Sequence, residues 1–186
     1  MKRIVIGALV GGLVVFIWGA IAHMVLPLGE MGLKSLPNEA AVTTALKSSV
    51  PDEGLYFYPG IDMKSASSEE QKAWEAKVRS GPTGMLLYHP LGGEPLAPKQ
   101  LASEFVTNML AAALAACLAS MMTGSYVRRV FGIAHLGLFA WLTISVSYWI
   151  WYGFPGMFIL AEGIDQVVSW VLAGFVIAKI VPAAAR

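Results

Sequence analysis

Four long apolar blocks restrict this chain to few architectures. Residues 4–28, 101–123, 130–151 and 157–181 are each long enough to cross about 30 Å of hydrocarbon at about 1.5 Å rise per helical residue. Composition agrees: the 186 residues are 56% hydrophobic and 13% charged, with a mean hydropathy of +0.63, which excludes a disordered or ordinary soluble chain. The expected class is a mainly α membrane protein, a bundle of four transmembrane helices. A net charge of +1 gives no reason to invoke nucleic acid, and the single cysteine, Cys117, can form no internal disulfide.

The first block follows Lys2 and Arg3. Ala20-Ile21-Ala22 resembles a signal-peptide cleavage site, but the apolar run continues past it through Met24, Val25 and Leu26. It is also longer than the core of about 7–15 residues that such peptides carry, so an uncleaved signal anchor is expected. Charge then orders the crossings. With an inside amino terminus, Lys2, Arg3, Arg128, Arg129, Lys179 and Arg186 all fall in the cytoplasm with no acidic residue beside them, as the positive-inside rule requires. Both termini are then cytoplasmic, and residues 29–100 lie across the membrane.

That long segment carries nine acidic and seven basic residues between Gly29 and Lys99 and has its own structural signals. Asn38 is placed to cap a short helix through about Leu46, with Pro51 just beyond its end. Ser67 and Glu70 fit a capping box for a second helix to about Arg79, closed by Gly81. On it Trp74 and Val78 share a face that needs covering. Gly54–Tyr58 and Met85–His89 read as strands. A small α/β extracytoplasmic cap, ordered helix, strand, helix, strand, is therefore expected between the first two spans. At about 70 residues it is close to the lower limit for an independent core, so it should rest on the outer helix ends near the Leu26-Pro27-Leu28 hinge.

Ionisable groups inside a span are costly and face the bundle interior or a wet cavity. Glu162, Asp165, Gln166 and Ser169, at i, i+3, i+4 and i+7, share one helical face. Counting from the estimated boundaries puts Glu162 at about 8 Å depth, Asp165 at about 12 Å, Asn108 at about 10 Å and His23 at about 7 Å. Ser145 and Ser147 lie within about 10 Å of the same surface, so these residues form one layer in the outer half. Glu104 is shallower, at about 5 Å, within reach of headgroups or water. Partners for the carboxylates include His23, Asn108, Trp18 and Trp149. The layer reads as a register-fixing network, with a proton or cation path as the competitor. His135 lies some 15 Å from His23 in depth, too far for a shared metal. His23, Glu162 and Asp165, helped by His89, lack tight metal-ligand spacing, so no metal and no cofactor is predicted.

Tyr148, Trp149, Trp151 and Tyr152 fall at the outer headgroup layer, where an aromatic belt is expected; a stacking surface for a flat ligand is the functional competitor. Gly7 and Gly11 form a GxxxG pair, Gly12 and Gly19 are one heptad apart, and Ala111, Ala115 and Ala119 recur at four-residue steps. These stripes are expected to pair the first span with the second. Cys117 reads as a small packing residue. No P-loop, GxSxG elbow, HExxH or CxxC is present, and no catalytic residue is assigned.

WGAIAHMVLP at 18–27, GLYFYPG at 54–60, GPTGMLLYHP at 81–90 and the run from Trp151 to Ile180 together resemble a group of small bacterial inner-membrane proteins with four spans and a periplasmic insert. The resemblance implies a bacterial cytoplasmic membrane and a cap facing the periplasm, and carries no reaction. Three functional classes stand. The favoured one is a non-enzymatic accessory or interaction subunit, using its cap and outer helix ends to meet a membrane or periplasmic protein. Next is a small homo-oligomeric transporter or channel using Glu162 and Asp165. The third is a membrane enzyme or redox accessory that binds lipid, quinone or metal.

Overall fold

The computed structural model describes residues 1–185. Arg186, counted above among the inner charges, lies outside the described residues. The chain is mainly helical, and four helices are long and apolar enough to cross a membrane. They are α1 (Lys2–Met24), α4 (Pro98–Met121), the span Tyr126–Tyr152 and α7 (Gly156–Ile180). The third combines α5 (Tyr126–Ala140), a π-helical turn at Trp141–Ser145 and α6 (Val146–Tyr152). Between the first two spans lie a 3-10 turn (Pro27–Glu30), α2 (Glu39–Ser49), β1 (Gly54–Tyr58), α3 (Ser68–Ser80) and β2 (Gly84–Tyr88). The chain divides into two units: Met1–Leu33 together with the chain from Pro95 onward, and Lys34–Glu94.

In the helical unit α1 packs against α4 and α7, and α5 packs against α7. The core is built from small and β-branched side chains: Ala112, Ala115, Ala116 and Ala119 of α4, Val130 and Ile133 of α5, and Ala173 and Ile177 of α7. Missing side chains set how close the helices come. A Cβ on Gly12 would lie 2.8 Å from Met109 Cα, and one on Gly137 would collide with the Gln166 carbonyl oxygen. The glycine stripe is thus shared differently from the expectation. Gly7 and Gly11 face Val181 and Ile177 first and the α4 alanines second, whereas Gly12 alone meets the α4 backbone. Both neighbours claim α1 because it has small residues on two faces. The outward surface holds Leu9, Leu110, Leu114, Phe131, Phe139 and Ile150, all exposed. An apolar surface this extensive is foreign to soluble monomers and is what a hydrocarbon solvent requires, so the chain is a multi-pass membrane protein.

Helix ends differ from the hydropathy boundaries where capping decides them. Pro98 opens α4, with the Gln100 side chain accepting the Ala97 N–H at 3.1 Å. The Ser125 hydroxyl accepts from the Arg128 N–H at 3.3 Å, which starts α5 at Tyr126. The connection read as Gly124–Arg129 is therefore only Met122–Ser125, and Arg129 belongs to the helix. Cys117 is exposed rather than packed, because it lies on the side of α4 opposite the buried alanines.

In the Lys34–Glu94 unit the strands pair antiparallel, with Leu55 opposite Leu87 and Tyr56 opposite Leu86, and α3 bridges them. The capping box is present in full: Glu70 Oε2 accepts from the Ser67 N–H at 2.7 Å and the Ser67 hydroxyl accepts from the Glu70 N–H at 3.3 Å. The α2 helix runs to Ser49, past Leu46, and Asn38 precedes it without a side-chain capping bond, since its backbone is turned away from the extended conformation that aims a cap. Trp74 is held by its indole N–H, which donates to Pro59 O at 2.9 Å, while Val78 remains exposed. Every side chain of Lys34–Glu94 keeps some exposure, so this unit has no sealed core.

Candidate functional site

The carboxylate of Asp165 is the centre of the polar groups in the helical unit. It lies in the third turn of α7 and is only 15% exposed. The Trp18 indole N–H of α1 donates to its Oδ1 at 2.7 Å, and His23 Nε2, in the last turn of α1, lies 3.6 Å from Oδ2. Tryptophan donates without accepting, so the first bond fixes Asp165 as acceptor whatever the state of the histidine. These two contacts tie the C-terminal part of α1 to α7.

Beside this contact opens a cavity of about 570 Å³ between α1, α4 and α7. Its polar wall holds His23, Asn108, Asp165, Gln166 and Ser169, together with Glu104 and Thr107. The apolar wall includes Phe16, Ala20, Met24, Leu101, Ala111 and Trp170. Four of the five residues proposed as an intramembrane cluster, His23, Asn108, Asp165 and Gln166, thus line one space. Glu162 does not line it. It sits one turn nearer the start of α7, where the chain leaving α1 packs down, as Gly32 does against Phe158. Ser145 is buried in the π-helical turn of the third span and is not part of the wall either.

Below this layer the bundle closes. The alanines of α4 meet Ile133, Ala173, Ile177 and Val181, leaving an apolar seal. At its far end lies Arg129, which the charge count used only for its sign. Arg129 is 4% exposed, and its guanidinium donates to Ala119 O at 3.0 Å, Ala178 O at 3.1 Å and Val181 O at 2.7 Å. These carbonyls belong to the last turns of α4 and α7 or just follow them, where helices leave acceptors unsatisfied and carry partial negative charge. Its neighbour Arg128 is exposed. The signal that could have separated them is the Ser125 cap, which sets the helical phase turning position 129 inward.

The remaining candidates lie apart. Tyr148 and Tyr152 stack at 5.7 Å, and Tyr148 continues through Phe154 at 5.4 Å to Phe158. Trp149 and Trp151 are exposed. The His135 ring donates through Nδ1 to Phe131 O at 2.6 Å within its own helix, and His89 pairs with Glu53 at 3.2 Å in the other unit. Trp141 donates to Ile159 O at 2.8 Å and lies against Gly163, a tie between the third span and α7 that the sequence did not single out. Among the described residues no group of three His, Cys, Asp or Glu side chains is placed to hold a metal.

In the Lys34–Glu94 unit, the Lys64 N–H and the Ser65 hydroxyl bond Asp62 and hold its carboxyl below the usual range. The Ser67 N–H and hydroxyl do the same for Glu70. Both carboxylates are thereby committed to local turn and cap structure. No protein-family model, curated protein or solved structure matches the chain.

Proposed function

We infer that the protein is a non-enzymatic accessory or interaction subunit of a bacterial inner membrane, with both termini in the cytoplasm and the Lys34–Glu94 unit in the periplasm. The observation that carries this reading is the state of that unit. It has secondary structure, a complete cap and a hairpin, yet no sealed core. It also presents Leu55 and Leu87, a directly opposed cross-strand pair, at 53% and 66% exposure. Apolar pairs of this kind stabilise a sheet when covered, and a protein partner is the cover that an accessory role supplies. The titratable groups point the same way, since Asp62, Glu70 and His135 are engaged in local contacts, His89 pairs with Glu53, and Asp165 is held by Trp18 and His23 of α1.

A transporter that uses Glu162 and Asp165 finds less support. Glu162 and Asp165 do not share the cavity, and an apolar seal separates the polar layer from the Arg129 end of the bundle.

The test uses the full chain with Cys117→Ala as background. A cysteine at Ser67 should react with a membrane-impermeant maleimide added to intact spheroplasts, and one at Arg128 should react only after lysis. Purification in mild detergent should then recover a stoichiometric partner, released by Leu55→Asp with Leu87→Asp and retained by Asp165→Asn. Labelling of Arg128→Cys but not Ser67→Cys in intact cells overturns the topology, and a homogeneous, partner-free species overturns the subunit role.

A further inference from the structure

We propose that the cavity between α1, α4 and α7 is a binding site for a lipid-soluble organic cation. Its volume of about 570 Å³ falls within the ~300–1,000 Å³ of small-molecule sites, and it joins an apolar wall to a few convergent polar groups, as such sites do. The sign of the ligand follows from the wall. Glu104 and Asp165 contribute two carboxylates, His23 is the one further ionisable group, and no lysine or arginine lines the space. An anionic ligand would meet two carboxylates in a low-dielectric setting, whereas a cation meets countercharge and two aromatic side chains, Phe16 and Trp170.

A second observation shows that the space is more than a packing gap. Ser169 is 4% exposed and lines the cavity, yet its hydroxyl makes no hydrogen bond to any described residue. A hydroxyl on a helix can bond the carbonyl one turn back, as Thr107 does with Ser103 O at 2.9 Å. Ser169 instead leaves its capacity for whatever enters. Gly19 supplies the room: it lines the same wall, and a Cβ there would meet nothing within 4 Å. The glycine therefore serves no close helix contact and keeps the cavity open.

The site is independent of the accessory reading, and no partner protein enters its test. Binding of tetraphenylphosphonium to the purified full-length protein in mild detergent is measured by equilibrium dialysis, with tetraphenylborate as an anion of the same shape. Saturable binding of the cation alone is expected. Gly19→Leu should abolish it while leaving the unfolding midpoint intact, since a Cβ at position 19 meets nothing within 4 Å, the added side chain enters the cavity, and leucine favours the helix. Glu104→Gln with Asp165→Asn should weaken it about tenfold or more by removing the countercharge, while the asparagine oxygen keeps the Trp18 bond. Three results overturn the proposal: uptake that does not saturate, Gly19→Leu binding like the parent, or tetraphenylborate binding as well as the cation.

Discussion

Replacing Arg129 by alanine should destabilise the bundle far more than the same change at Arg128. The two positions carry equal weight in the positive-inside count and differ only in what their side chains touch. The Arg129 guanidinium makes three bonds of 2.7–3.1 Å to carbonyls at the ends of α4 and α7. A hydrogen bond to a charged group contributes about 1.5–3 kcal/mol, so the gross loss reaches about 4.5–9 kcal/mol. Burying the guanidinium costs several kcal/mol that its removal returns, so the net destabilisation expected is about 3–5 kcal/mol. At about 1.4 kcal/mol per factor of ten, this lowers the folding constant at least a hundredfold. Arg129→Lys should fall between, because a single ammonium cannot span three acceptors as the planar fork does. Arg128→Ala should stay within about 0.5 kcal/mol. The assay is reversible unfolding in mixed micelles by titration with dodecyl sulfate, followed by far-ultraviolet circular dichroism. Equal midpoints for Arg128→Ala and Arg129→Ala would refute the reasoning and return Arg129 to a purely topological role.

Gly12→Ala should cost about 1–3 kcal/mol in the same titration because its Cβ would press on the α4 backbone at Asn108 and Met109 as well as on the Met109 sulfur, whereas Gly19→Ala should be neutral or stabilising by up to about 1 kcal/mol; equal effects would place α4 elsewhere. Asp165→Asn should fold normally and Asp165→Leu should lose about 1–3 kcal/mol through the unpaired Trp18 N–H, so matching midpoints for these two would remove the Trp18 bond from the account. Asp165→Lys should fail to accumulate in membranes, since a cation near mid-bilayer costs about 2.5–3.5 kcal/mol. The carboxyls of Glu70 and Asp62 are held below their usual range in the folded chain. The order they confer is present above the ordinary carboxylate range and is lost as pH falls through their depressed values. Amide shifts of Ser67 and Glu70 should move at that acid step, and Glu70→Gln should show no such step.

What the sequence disclosed divides along the range of the forces involved. The spans, the Ser67–Glu70 capping box and the strand Gly54–Tyr58 depend on residues within a few positions of one another, and their periodicity and caps are written locally. The clustering of Asp165 with Gln166 and Ser169 is also local, being helical spacing. Which helices become neighbours is not. The choice of Trp18 over Trp149 as the Asp165 donor depends on how α1 crosses α7, as does the preference of Gly7 and Gly11 for α7 over α4. Arg129 was obscured for a related reason: a basic residue beside another basic residue after a span fits the charge rule so well that nothing prompts a search for carbonyl partners two helices away. Asn38 shows the opposite failure, a residue of the right type whose backbone does not aim it.

The π-helical turn at Trp141–Ser145 gives the third span one residue more than an α-helix would need over that length. One residue corresponds to about 100° of rotation. Everything after the turn is therefore swung round relative to everything before it. A single rod can then seat Gly137 against α7 in one half and, in the other, present Tyr148 to Phe154 and Phe158. Deleting Leu142 would take out the surplus residue and carry Tyr148 away from that stack, with the membrane-crossing length almost unchanged. The span behaves as two helices with different azimuths, joined without a loop.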